Sequence, residues 1–350
     1  MSRFTIVFML TMTVVMAAHP TLAASYAVGT CKPTLPSFAS ISVAVSSVPP
    51  SSTVLVCPGT YKEQVTISQP LTLQGITSAN SAQAVITVPA EGLSLAPDAL
   101  FGPLSPQVMV TAGPVTLTNI TVDGTGFNAG DGCSGYLVGI FYASGSSGTV
   151  NEVTTRNHIN FGCGVGIVAD NGTSTSQSVT IQNSSIHGVD GYGIFVGTNQ
   201  TPPTLTATIK GNTVDSGYGG IETFLNAGSV TGNVVSAVNL ALYLVAPAST
   251  VSGNTISKSD VGIYAAEDGV SATSNRISNG SFGIVISANG TNFQSNTITR
   301  TQNGIDFACH TAAVAHNTIN DASVGLYNVP ASFASPNNIF NVSTFRTGGC

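Results

Sequence analysis

Residues able to do chemistry are scarce in this chain, because only 7% of its 350 residues are charged. Arg156, His158, His187, Asp190, Asp215 and Glu222 nevertheless fall close together, mixing carboxylates, imidazoles and one guanidinium. Acid/base catalysis needs such a mixture: one group to give a proton, one to take it, and a cation to hold developing charge. Glu222 is placed at the centre of this candidate site, with Asp215, His187, Asp190 and Arg156 as its catalytic partners. Asp306 lies four repeats further on, about 19 Å away at one strand spacing per repeat. Glycosidase carboxylates sit about 5–9.5 Å apart, so Asp306 cannot be the second carboxylate of Glu222.

A second set of residues suits binding. Phe141, Val168, Phe195, Glu222, Tyr243, Tyr264, Val285, Asp306 and Tyr327 recur at equivalent positions and are expected to point outward. Aromatic faces flanked by carboxylates fit sugar rings, whose C–H faces stack while their hydroxyls seek acceptors. Phe195, Tyr243, Tyr264, Asp306 and Tyr327 are therefore candidate substrate-binding residues. The alternative is that these aromatics are ordinary strand formers on a half-exposed sheet. A corner column of Asp123, Arg156, His158, His187, Asp215, Lys258, Arg300 and Asp321 is the other concentration of ionisable groups, although exposed turns are polar by default.

These columns exist because the chain repeats. Asn212, Asn233, Asn254, Asn275, Asn296, Asn317 and Asn338 follow one another at 21-residue intervals. Eight residues after each comes a second phrase, with Gly220, Gly262, Gly283, Gly304 and Gly325 in one column. A fixed period of this size marks a solenoid. The phrases are short, alternate apolar with polar residues and are separated by Gly/Ser/Asn turns, so each is a strand. The expected fold is all-β, a parallel β-helix with Ile and Val stacked inside. The Asn column is expected to form an amide ladder, and the Gly column to serve a positive-φ turn or a close backbone approach. Traced backwards, the columns are assigned to Asn119, Asn151 and Asn183 and to Gly139, Gly166 and Gly193, in longer coils. The extra residues enter at one corner and taper off just before Glu222, and insertions on one face of a solenoid often mark its binding face.

Residues 1–24 combine Arg3, an apolar run and small residues, which reads as a secretory signal peptide. Residues 25–52 are assigned to an N-terminal cap, in which 37–48 fits a helix about as well as a strand. Residues 53–345 are assigned to the β-helix and 346–350 to a tail. No other long apolar run suggests a membrane span, so the expected location is secreted or periplasmic. Nine Lys and Arg residues, scattered over the chain, exclude a phosphate-binding surface and hence a nucleic-acid partner. Six cysteines in a secreted chain favour disulfides, and sequence order suggests Cys31–Cys57, Cys133–Cys163 and Cys309–Cys350 among fifteen connectivities. The Pro-rich stretch 89–107 reads as a surface loop.

The segment VLVCPGTYKEQVTISQPLTLQG, with Pro58-Gly59-Thr60-Tyr61, Glu63 and Leu71 to Gly75, resembles the first coil of many secreted proteins of the pectin-lyase-like superfamily. The later repeats are similar to generic β-helix repeats of that superfamily, including those of the periplasmic copper-enzyme maturation family. The resemblance covers nearly all of residues 37–345 and implies a right-handed parallel β-helix. It implies no single activity, since the superfamily spans lyases, hydrolases, esterases, epimerases and non-catalytic proteins. Motifs of polygalacturonases, alginate epimerases, pectin methylesterases and Ca²⁺-dependent pectate lyases are missing. The five histidines show no metal-ligand spacing, so no metal or cofactor is expected. Two readings follow. One is a protein that binds an extracellular polysaccharide in a groove along one sheet, and cleaves it as a lyase or glycoside hydrolase. The other is a non-catalytic cell-surface or structural β-helix, an adhesive rod. Clustered carboxylates and histidines would favour the first, and dispersed ones the second.

Overall fold

The computed structural model describes residues 24–350, apart from 78–82, 99, 128–132, 134, 225–226, 247–248, 332, 335 and 349. The stretch read from the sequence as a signal peptide falls, but for residue 24, outside the described residues.

The chain is a right-handed parallel β-helix. Each regular coil lays down three short strands, one on each of three faces. The first face stacks Ser52–Val56, Leu71–Gly75, Val115–Thr118 and their successors to Ala312–Ala315, all in parallel register. The second runs from Gly59–Lys62 and Ala84–Thr87 through Ile120–Asp123, Thr154–His158, Ser185–Val189 and Thr213–Asp215. The third runs from Val65–Ile67 and Leu104–Val110 through Tyr136–Tyr142, Gly164–Asn171, Tyr192–Thr198, Gly219–Phe224 and Leu240–Val245. In the late coils one strand, such as Arg276–Ile286, spans the second and third faces with only a bend between them.

Side-chain alternation fills the interior. Val214, Val235, Ile256, Ile277, Ile298 and Ile319 stack from the second face, and Ile221, Leu242, Ile263, Ile284, Ile305 and Leu326 from the third. Each column gains continuous apolar contact along the axis, because every residue meets its counterparts above and below.

The asparagine ladder is present, and it is fully buried from Asn212 to Asn317. Asn233 Oδ1 accepts from both the backbone N–H and the side-chain amide of Asn212, at 2.9 and 3.0 Å. Asn233 Nδ2 in turn donates to Ile209 O and to Asn254 Oδ1. The pattern repeats through Asn275, Asn296 and Asn317, so each buried amide is satisfied within the stack. Two assignments change. The last rung is Asn337, whose Oδ1 accepts from Asn317, because the final coil is one residue shorter. Asn338 instead pairs with Thr318 at the start of the next strand. Upstream, register places Ser184, Val153 and Ile120 at the ladder position. Asn119 and Asn183 sit one residue earlier in left-handed conformation, and Asn151 belongs to a first-face strand. The early coils therefore use apolar side chains, then a serine, where later coils use asparagine.

The glycine column is in register from Gly139 onward, with Ala241 at one rung. Its cause is close approach, not positive φ: a Cβ on Gly166 would lie 2.6 Å from both Gly193 O and Ile186 Cγ2.

At the N-terminal end, Ser25–Val28 and Ser37–Phe38 extend the first face, and a helix spans Ile41–Ser47. Ser40 Oγ caps the helix by accepting from Val43 N–H, and Ile41, Ala44 and Val45 are buried against the coil. The Glu63 carboxylate accepts from Ile41 N and Ser42 N at 2.9 and 2.8 Å, placing negative charge at the helix N-terminus, where it is favoured. Disulfides join Cys31–Cys57, Cys133–Cys163 and Cys309–Cys350.

Candidate functional site

The third face carries two outward columns separated by the glycine column. One is Phe141, Val168, Phe195, Glu222, Tyr243, Tyr264, Val285, Asp306 and Tyr327, in unbroken register. The other includes Val138, Val165, Tyr192, Gly219 and Leu240.

The first half of this face is not open to solvent. Residues 96–98 and 100–104 turn back over it, held by an antiparallel bridge between Ala96 and Leu104 and by Asp98 Oδ1, which accepts from Leu100 N and Phe101 N. Leu104, Val138, Phe141, Val165, Val168 and Phe195 form a second, separate apolar cluster beneath Leu100 and Phe101. The Phe101 ring meets Phe195 edge-on at 4.4 Å and Tyr136 at 4.9 Å. The stretch read as a surface loop is thus a packed cover ending in the strand Leu104–Val110. Phe195, expected as an exposed sugar platform, is 6% exposed and belongs to this cluster. Half-buried Tyr243 and Tyr264 remain accessible as an edge-on pair 5.5 Å apart, and Tyr327 is also half-buried. Asp306 is buried, with Oδ1 accepting from Ala308 N and Asn328 Nδ2, so that oxygen serves a turn.

Glu222 lies where the covered half ends, between Phe195 and Tyr243. It is 7% exposed, and its Oε2 has no hydrogen-bond partner. Burial raises its pKa to about 7, partly offset by a hydrogen bond from Tyr192. Tyr192 is itself raised, first by burial and then by Glu222. Its ring lies over Gly219, where a Cβ would sit 2.3 Å from Tyr192 Cδ1, so Gly219 makes the room that brings the phenol to the carboxyl. The half-exposed Tyr218 ring stands perpendicular to Tyr192 at 6.1 Å. A carboxyl poised near neutrality beside phenols is suited to hold and release a proton.

The proposed partners have other engagements. Among the described residues no hydrogen bond or ion pair joins Glu222 to Asp215, His187, Asp190 or Arg156. Asp190 uses both oxygens on backbone N–H groups of Asn160, Gly162 and Gly164, at 2.7–2.8 Å. It clamps the 159–163 turn, which the Cys133–Cys163 bridge also holds and which displays Ile159 and Phe161. Arg156 pairs with Asp123 at 2.8 Å. Burial alone would raise Asp123, but hydrogen bonds from Thr125, Asn157 and Arg156 hold its pKa down to about 2. His158 is fully buried, its Nε2 2.7 Å from Gln107 Oε1. Desolvation lowers it to about 4, so it stays neutral, donating from Nε2. His187 Nδ1 contacts Ser185 Oγ, and His187 and Asp215 are adjacent on the second face.

Asp123, Arg156, His187 and Asp215 share one register position. Lys258, Arg300 and Asp321 occupy the left-handed corner one residue later, with φ of 55–60°. The corner column is thus two adjacent lines spread along the rod. Tyr192 and Tyr218 were missed because neither lies in the aromatic column. Their signal is the recurring Gly-Tyr-Gly phrase, 191–193 and 217–219, at the start of two successive third-face strands.

The family described as "Right handed beta helix region" matches residues 166–324. Among solved structures, a GH136 lacto-N-biosidase from Eubacterium ramulus superposes with a TM-score of 0.58 at 11% identity, covering 85% of this chain and 68% of that one. DFA-IIIase from Arthrobacter chlorophenolicus A6, in complex with GF2, gives 0.51 at 16% identity, covering 79% and 78%. At these identities the likeness is one of fold, the right-handed parallel β-helix. No curated protein matches the sequence.

Proposed function

We propose that this protein binds a neutral polysaccharide along the third face and hydrolyses it with Glu222 as the proton donor. The observation that carries this reading is the Glu222–Tyr192 pair: a buried carboxyl held near neutrality, beside half-exposed tyrosines, where the covered face gives way to the open one. Protonated Glu222 would donate to the glycosidic oxygen as its bond to the anomeric carbon breaks, and water adding to that carbon would return a proton to the Glu222 carboxylate. Hydrolysis is favoured over elimination by the charge of the face. Neither outward column from Val138 to Tyr327 contains Lys or Arg, whereas elimination from a uronate needs its carboxylate neutralised. Similarity of fold to a lacto-N-biosidase and a DFA-IIIase is consistent with action on carbohydrate.

Screening the purified protein on a glycan array, then assaying bound glycans for new reducing ends, tests both halves. Glu222→Gln is expected to abolish turnover while leaving glycan binding in place, and Asp306→Asn to leave turnover near normal. Full activity in Glu222→Gln would remove Glu222 from the mechanism. The adhesive-rod reading is favoured by a different observation, the dispersal of Arg156, His187, Asp190 and Asp215 into separate structural roles. A glycan bound without turnover by the wild type would select it.

A further inference from the structure

The first face carries a column with no counterpart in the Glu222 site. Register aligns Thr53, Thr72, Thr116, Thr149, Thr180, Thr208, Ser229, Thr250 and Ser271 in one outward line, followed by Asn292. The coils between these rungs range from 19 to 44 residues, yet each places a hydroxyl at the same point. The asparagine ladder, by contrast, begins only at Asn212. The hydroxyl line therefore persists where the structural repeat lapses. Strand propensity accounts for β-branching at an outer position, but Val, Ile or Tyr would serve equally and none occurs in this line.

Among the described residues the side chains of Thr53, Thr72, Thr116, Thr149, Thr180, Thr208 and Thr250 make no hydrogen bond within the protein. Their hydroxyls are left to whatever lies outside. In the regular coils a second outward line, Thr231, Ser252 and Thr273, runs two residues further on, giving Ser-Val-Thr, Thr-Val-Ser and Ser-Ala-Thr on successive rungs. Across both lines Lys210 is the single charged residue, and none is aromatic. The partner must therefore be uncharged, bind without ring stacking, and repeat at the strand spacing of about 4.8 Å over roughly 40 Å.

We propose that the first face binds ice. An ordered water lattice is neutral, presents hydrogen-bonding oxygens in straight rows, and repeats at a distance close to that of the rungs. Threonine offers it a hydroxyl to enter the lattice and a methyl to hold the neighbouring water in place. A soluble sugar chain fits less well, because this face has no ring to stack on and the tyrosines lie on another. The inference is independent of the Glu222 reading, which concerns the third face.

Ice-crystal shaping and inhibition of ice recrystallisation by the purified protein test it. The wild type is expected to do both at micromolar concentration, and Glu222→Gln to do so equally. Thr149→Tyr combined with Thr180→Tyr should weaken recrystallisation inhibition at least about tenfold, because the rungs act together and two protrusions lift their neighbours from the lattice. Thr149→Val with Thr180→Val keeps the shape and should retain more activity than the tyrosine pair. Circular dichroism should show every variant folded, since these side chains point outward. Absence of ice shaping by folded wild type, or equal potency in the tyrosine pair, would overturn the proposal. So would pull-down on microcrystalline cellulose or chitin that the tyrosine pair abolishes, which would assign the face to a solid polysaccharide.

Discussion

The early and late coils solve the same packing problem with different means. From Asn212 to Asn317 each coil turns its corner on a buried asparagine that satisfies its neighbours, and the third face is left half-open with Tyr243 and Tyr264 upon it. Before that point Ile120 and Val153 fill the corner, the coils carry insertions, and residues 100–104 cover the same face with a second apolar cluster. Glu222 stands at the seam. A strictly regular solenoid repeats its surface and makes no unique site. It is the change of regime that encloses one carboxyl against tyrosines while leaving Tyr243 and Tyr264 accessible beyond it.

If the late half depends on its amide ladder, Asn254→Leu should show the largest effect. It strands the donors of Asn233 and the carbonyl of Val230, each a buried group costing about 1–3 kcal/mol when unpaired. A loss of about 3 kcal/mol or more in chemical denaturation is expected. Near-neutral behaviour would mean that the two corner types are interchangeable.

The seam has its own signature in pH. A carboxyl whose folded pKa is raised disfavours the native state when ionised, so the native state binds the extra proton and stability falls as pH rises from about 4.5 to about 7. Glu222→Gln should remove that decline, worth about 3 kcal/mol at most. His158 acts in the opposite sense, since its lowered pKa costs stability as pH falls from about 6.5 to about 4. The wild-type-minus-variant difference in melting temperature across pH isolates Glu222. A difference flat with pH would show that the carboxyl is solvated.

Uncovering the early half should have a smaller effect. Phe101→Ala removes two edge-on ring contacts, worth about 0.5–1.5 kcal/mol each, and exposes Phe195. Stability should fall by about 1–3 kcal/mol and binding of an apolar dye should rise, while the melting of the late coils is unchanged. The smallest effect is expected at the corner. Arg156→Ala leaves Asp123 its bonds to Thr125 and Asn157, so the loss should stay below about 1 kcal/mol. A larger loss would make the corner column more than a solvated edge.

The solenoid, its stacked Ile and Val columns and the asparagine ladder were all legible in the sequence, because a period of 21 residues projects one-dimensional spacing directly onto neighbouring coils. Register is then arithmetic, and the phase of Glu222 between Phe195 and Tyr243 follows from it. The arithmetic fails where coil length varies: Asn338 is displaced by a single residue from Asn337, and Asn119, Asn151 and Asn183 miss the ladder because insertions shift the strand start. Only the tertiary structure decided which outward residues meet solvent. Exposure of Phe195 depends on where residues 100–104 fold back, and no local pattern encodes that. Likewise Asp190, which looks like a base by residue type, is spent on three backbone N–H groups contributed by the coil before it. Tyr192 reaches Glu222 because Gly219, in the coil after it, leaves the space. The chain's own spacing determined which residues stack. Contacts between separate coils determined which of them are free to act.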